Sequence, residues 1–312
     1  MLLVVTFIVF SLTSMSTVNP GRSKLGAEAT EEQVAAKNAE YGLDKPFLIR
    51  YVRWVGGMIR GDFGKSWYYD RPVVDDIMAR WPYTAKLALI SLAIAMAIGI
   101  PLGVLSAVKQ YSWMDRVFTT SSMLLSAIPT FCMATLGVLA FSYKLHWVPA
   151  SGVVNGYKSW ILPSLTLGIS YSAGFLRFTR TSVLDTIRQD YVRTVRAKGV
   201  RERKVIWGHA FRNALLPLIT ITGMNLGGLL GGAVIMESVF VIPGLGTLVM
   251  NGINQYDQPM VLGAITMLAA IYMLIMLVVD LLYGVVDPRI RAKYTAGRKK
   301  KPVKQVTEGV TV

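Results

Sequence analysis

Residues 190–218 read DYVRTVRAKGVRERKVIWGHAFRNALLPL, a dense run of Lys and Arg set between long apolar stretches. Asp185 to Lys198 is made of good helix formers without Gly or Pro, and Gly199 stands where a helix would end. Arg201 to Arg212 predicts a second helix, until Pro217 disturbs the backbone at the next apolar run. The pattern is therefore helix, glycine elbow, helix. Tyr191 and Val195 share a face at i, i+4 spacing, as do Val205 and His209. A loop that only set topology would need a few scattered charges. Two helices with apolar faces around a glycine predict a surface that docks another protein.

What flanks this island decides the fold class. Over 312 residues the chain is 53% hydrophobic and only 16% charged, with a formal charge of +15. Soluble domains carry about a quarter charged residues, so the deficit predicts segments that cannot tolerate charge. A basic balance can also signal nucleic acid, but here the positive residues sit in particular loops between apolar runs, as membrane orientation requires. Cys132 is the one cysteine, and with only His146 and His209 beside it neither a disulfide framework nor a four-ligand metal site is predicted.

A hydrocarbon core of roughly 30 Å takes about 20 apolar residues per helix. Five runs meet this, near 84–108, 117–142, 160–180, 214–238 and 260–286. A sixth, 1–19, lacks the basic start and small-residue cleavage site of a signal peptide and reads as a first transmembrane helix. The expected fold is an all-α integral membrane protein of about six transmembrane helices with a cytoplasmic helix hairpin at 181–213. Ten Lys or Arg residues fall in 177–213 and eight in the tail 287–312, against two in 144–158 and none in 239–259. Basic loops stay inside, so both termini and the island are expected in the cytoplasm, with 20–83 outside. That external segment predicts a small cap. Thr30 to Gln33 has capping-box spacing and Gly42 is a helix stop. Pro46 opens a helix with Phe47, Tyr51, Val55 and Met58 near one face, suited to the membrane surface or to the bundle.

With its order of motifs, the chain resembles the dipeptide/oligopeptide/nickel permease family of ABC importers. The island resembles their cytoplasmic coupling, or EAA, loop, with Arg193-Thr194-Val195, three residues, Gly199, then Leu216-Pro217 after a longer gap than the general loop has. It departs from the general loop in lacking its Glu and both alanines, whereas "RQDYVRTVRAKG" and "HAFRNALLP" are similar to the peptide-permease variant. "YGLDKP", "GDFGKSW", "SAIPTF", "LHWVPASG", "WILPSLTLG", "GGAVIMESVFVIPGLG" and "DLLYGVVDPRIR" extend the resemblance across most of the chain. It implies a bacterial inner-membrane subunit that borrows its energy. Partners would be a second homologous permease, two ABC ATPase subunits holding ATP and Mg, and an external solute-binding protein delivering peptides, nickel chelates or another small solute. The ATPase-coupling residues would be Tyr191, Arg193, Thr194, Val195, Arg196, Ala197, Lys198, Gly199, Arg203, His209, Arg212, Asn213 and Pro217.

Other candidates are weaker. Gly64-Lys65-Ser66 lacks the phosphate-loop glycine five residues earlier, where Ile59 stands. Gly223, Gly227 and Gly231 predict close helix packing, either as packing alone or with a face that slides or opens at the partner permease. Glu237 and Asp280 are ionisable groups near span ends, where a pathway role or a helix-end hydrogen bond is expected. A proton-coupled carrier would need more such relays. No nucleophile–base constellation points to an enzyme.

Overall fold

The computed structural model describes residues 1–16 and 18–286; the basic tail expected at 287–312 lies outside the described residues. Helices account for all the regular structure described. A short α1 (Leu2–Ser14) precedes the cap helices α2 (Pro20–Leu25), α3 (Glu31–Glu40) and α4 (Phe47–Ile59). The capping box forms as the spacing predicts. Thr30 Oγ1 accepts from the Gln33 amide at 3.3 Å, while the Gln33 side chain accepts from the Thr30 amide at 3.0 Å. Gly42 follows with φ +72°. Phe47 and Tyr51 of α4 pack edge-on against Phe7 and Phe10 of α1. Of the two placements weighed for α4, packing on the bundle is therefore realised on this face. Its other side leaves Leu48, Ile49 and Val52 exposed.

The long helix α5 (Val73–Val108) begins eleven positions before the predicted span and keeps Pro82 and Pro101 inside it. Next, α6 (Trp113–Ala127) and α7 (Thr130–Gly137, continued as a π turn to Lys144) meet at 94°. A single straight span was predicted for 117–142. Pro129 breaks it, because proline holds Ile128 extended (φ −83°, ψ 122°) and offers no amide to continue the ladder. Then α8 (Lys158–Ile187) packs lengthwise on α5. Glycines permit the close approach. A Cβ on Gly99 would lie 2.6 Å from the Ser172 carbonyl oxygen, and one on Gly103 2.7 Å from that of Leu176.

After α8 come α9 (Asp190–Ala197), a one-turn α10 (Glu202–Lys204), a π turn at Val205–Ala210 and α11 (Phe211–Phe240). The described residues end with α12 (Leu245–Asn254) and α13 (Gln258–Val286). Among the described residues three helices are long and apolar enough to cross a membrane: α5, the rod Glu202–Phe240, and Gln258–Leu282. The bent α6–α7 pair makes a fourth if it counts as one crossing. Six were predicted. Length and apolarity do not mark the other two, since α1 has only 13 residues and α8, though 30 long, is laced with Ser and Gly.

The central core joins Leu87 of α5, Leu167 of α8 and Leu229, Ala233, Met236 and Phe240 of α11. A second cluster (Val73, Ile77, Leu245, Leu248, Met260, Ala264) closes the end that carries the cap. Two more sit at the opposite end, around the basic island.

Candidate functional site

The island is built in two layers. Val192 of α9, fully buried, meets Val205 and Ala210, with Ile187, Val195 and Val200 packed around them. One turn away, Val104 and Ala107 of α5, Val183 of α8, and Ile206 and Ala214 form the adjoining cluster. The inner face of α9 is thus continuous with the ends of three long helices. A side-chain bond adds to this, since Asn213 Nδ2 donates to the Tyr191 hydroxyl at 2.8 Å and to the His209 carbonyl at 3.2 Å.

The outer layer is charged. Arg193, Thr194, Arg196, Ala197, Lys198, Arg203 and Arg212 are exposed, and Tyr191 is 39% exposed. Arg196 reaches across the elbow with a two-pronged bond to Glu202, Nη2 at 2.6 Å and Nε at 3.1 Å. Such planar pairing fixes the angle between α9 and α10. Gly199 turns the chain at φ +74°, and a Cβ there would meet nothing within 4 Å. Only the backbone angle, not space, demands glycine.

Two features differ from the predicted hairpin. Asp185 to Lys198 is not one helix: α8 stops at Ile187 and α9 restarts at Asp190, with Gln189 extended between them. Nor is Arg201–Arg212 a free-standing helix ended by Pro217. It runs into α11 as one 39-residue rod, with Pro217 half-buried in its interior. The missing Pro217 amide strands only the Asn213 carbonyl. The π turn at Val205–Ala210 shows that this segment already departs from regular pairing. Val195 also faces inward rather than outward with Tyr191, and Val192 is the deeper anchor. Sequence reading missed Trp207, 45% exposed beside Phe211 on the same surface.

The remaining candidates lie elsewhere. Gly223 and Gly227 face α13 of the same chain: a Cβ on either would overlap Val279 or the Tyr272 ring. Gly228 and Gly232 face Tyr171 of α8. The predicted sliding face toward a partner is therefore taken internally at Gly223 and Gly227, and Gly231 alone of that trio stays open. Glu237 is fully buried. It accepts from the Thr84 hydroxyl at 2.5 Å and from the Thr247 amide at 3.0 Å, while Thr84 accepts from the Leu245 amide at 2.8 Å. Both side chains thus cap the first turn of α12, where a negative charge is favoured. Of the two roles predicted for Glu237, this is the helix-end bond. Asp280 is an exposed residue of α13.

Three buried carboxylates went unremarked in the sequence: Asp76, which pairs with Arg71, and Asp115 and Asp257. Asp115 takes a two-pronged bond from Arg180 at 2.7 and 2.8 Å, plus bonds from Ser106 and the Tyr111 amide, tying α5, α6 and α8 together beside the island. Asp257 binds Ser66 Oγ and the amides of Trp67, Tyr68 and Met260 at the cap end. Ser66, the last residue of the phosphate-loop look-alike, is thus a structural donor.

The arrangement has known counterparts. The model for "Binding-protein-dependent transport system inner membrane component" matches residues 99–292, and that for its N-terminal part matches residues 1–88. The "Glutathione transport system permease protein GsiC" of Escherichia coli (strain K12) is 37% identical over 292 residues, 94% of this chain and 95% of that protein. Its counterpart in Salmonella paratyphi A is 36% identical over the same span. Among solved structures, the inward-facing MetNI methionine ABC transporter (CY5 native crystal form) aligns with TM-score 0.59 at 18% identity, covering 68% of this chain and 96% of its own. An amino acid ABC transporter solved with histidines aligns at TM-score 0.51 and 16% identity, covering 69% and 94%. At such identities the structures speak for the fold alone. The sequence relatives and family models speak for more: the chain belongs to the inner-membrane components of binding-protein-dependent transport systems, as a multi-pass permease subunit of an ABC importer of the peptide family, which works with ATPase and substrate-binding partners.

Proposed function

We propose that this permease carries short peptides, glutathione-like tripeptides among them, into the cytoplasm as one of two transmembrane subunits. Two ABC ATPases dock on the island and bind ATP and Mg, and the chain itself has no ATPase site. An external binding protein delivers the peptide at the cap end, and both termini face the cytoplasm. The observation that carries this reading is the two-layered island. Its basic, Trp-bearing surface is free to dock, while its valine face is locked to α5, α8 and α11. A push on α9 is therefore delivered to the helices that form the core, and one docked partner can bias a two-state rearrangement at a distance. Glutathione, the substrate for which the relatives are named, favours small peptides over metal chelates. Neither Glu237, held by Thr84 and Thr247, nor exposed Asp280 forms a proton relay through the bundle.

The test joins contact to transport. Ala197→Cys in the assembled transporter, paired with single cysteines in the ATPase, should cross-link and the yield should change with ATP. Vesicles should take up labelled glutathione or dipeptides only with ATP and binding protein. Cross-linking without nucleotide dependence, or uptake driven by a proton gradient alone, would sink the proposal.

A further inference from the structure

A cavity of about 650 Å³ opens between α1, the cap, the end of α12 and the start of α13, far from the island. One wall is apolar, from Val9 and Leu12 of α1 to Ile253, Val261 and Ile265. The other end is polar and carries Arg50 of α4. Arg50 is half-buried, and burial pulls it below the ordinary arginine range. Its bonds are to a neutral hydroxyl, Ser14 Oγ at 3.1 Å, and to the face of Phe10, 5.6 Å from the ring centre. Among the described residues no carboxylate forms an ion pair with it. Asp257 also borders the cavity, but its oxygens are taken by Ser66, Trp67, Tyr68 and Met260. One turn along α4, and lining the adjoining cavity beside Arg50, Trp54 buries an indole N–H that finds no acceptor among the described residues. Desolvated cations and buried donors are costly unless they are paired.

We propose that this cavity holds one anionic phospholipid, its phosphate on Arg50 and Ser14 and the upper part of an acyl chain along Leu12, Val9, Val261 and Ile265. The occupant follows from the chemistry of both ends. A phosphate supplies the charge and the acceptors that Arg50 lacks, and guanidinium suits it geometrically. A chain of methylenes suits the apolar wall, and the cavity lies in the size range of ligand sites, roughly 300–1,000 Å³. The groove also adjoins a run of exposed apolar side chains: Val4, Ile8 and Leu12 of α1 and Leu48, Ile49 and Val52 of α4. A free phosphate would satisfy Arg50 and leave the wall bare.

The assembled transporter, purified in nanodiscs of phosphatidylglycerol and phosphatidylethanolamine, should retain one phosphatidylglycerol per copy of this chain by native mass spectrometry. Arg50→Gln should lower that retention roughly tenfold, the loss of one bond to a charged group. Arg60→Gln, at the opposite end of the same helix and outside the cavity, should not. If Arg50→Gln fails to assemble, Leu12→Trp keeps the cation, narrows the groove and should also shed the lipid. Equal retention by wild type and Arg50→Gln, or by Leu12→Trp where Arg50→Gln cannot be made, overturns the site. Displacement of the lipid by millimolar inorganic phosphate overturns the lipid and leaves a site for small anions.

Discussion

Gly199 holds a backbone angle, φ +74°, that costs a residue with a Cβ about 1–2 kcal/mol. Because a Cβ would touch nothing there, Gly199→Val tests the angle without a clash. The productive elbow should fall in population by roughly tenfold. Membrane insertion should stay normal while uptake drops, and ATP hydrolysis should no longer respond to the binding protein. Wild-type uptake and stimulation, measured together in vesicles, would remove the elbow from the coupling route. Thr84 offers a second single-residue test. Its hydroxyl serves Glu237 and the Leu245 amide at once, so Thr84→Val strands a buried acceptor and a buried donor. Detergent-solubilised protein should lose about 1–3 kcal/mol of stability, seen as a lower Tm, with Thr84→Ser close to wild type. Equal melting of the Val and Ser variants would show that the α12 cap is not held this way.

Helix packing makes further forecasts. Gly227→Leu should disrupt the seam between α11 and α13 inside one chain, because Tyr272 occupies the space. Folded yield should fall, and Tyr272→Ala should restore part of it. If the double variant is no better than the single one, the seam is not the cause. Asp115→Asn should splay α6 from α8 by leaving Arg180 without its charge partner. Breaking a buried pair costs about 3–5 kcal/mol, less here where Arg180 retains some exposure. Proteolysis at the Lys109–Ser112 turn would report it. These seams also mark the limit of what the sequence discloses. The apolar runs, the capping box, Gly42 and the left-handed Gly199 are local, and each is legible from its neighbours. Pro129 and Pro217 look alike in sequence, yet one breaks its helix and the other is absorbed by a rod with a π turn before it. Which outcome occurs depends on packing. The glycines of α11 signalled close approach but not toward whom. Glu237, Asp115 and Asp257 were ambiguous or silent, because their partners lie on helices distant in sequence. Val192 was hidden by a periodicity read from Tyr191, whose hydroxyl is instead held by Asn213.

At the scale of the whole molecule, the proposed division of labour predicts that the purified chain, without partners, neither binds nor hydrolyses ATP. Saturable binding of a fluorescent nucleotide would contradict it. The tie at Asp257 has a different consequence, which belongs to synthesis rather than transport. Ser66 waits for a carboxylate 191 positions later, and Thr84 waits for Glu237 across 153. A ribosome extends the chain at about 5–20 residues per second, so the early loop stays open for many seconds after it is made. Nascent chains stalled before residue 257 should therefore be cut by external protease near Ser66–Tyr69, and chains that have added the next helix should resist. A carboxylate made just ahead of α13 thus closes the loop that was laid down ahead of α5.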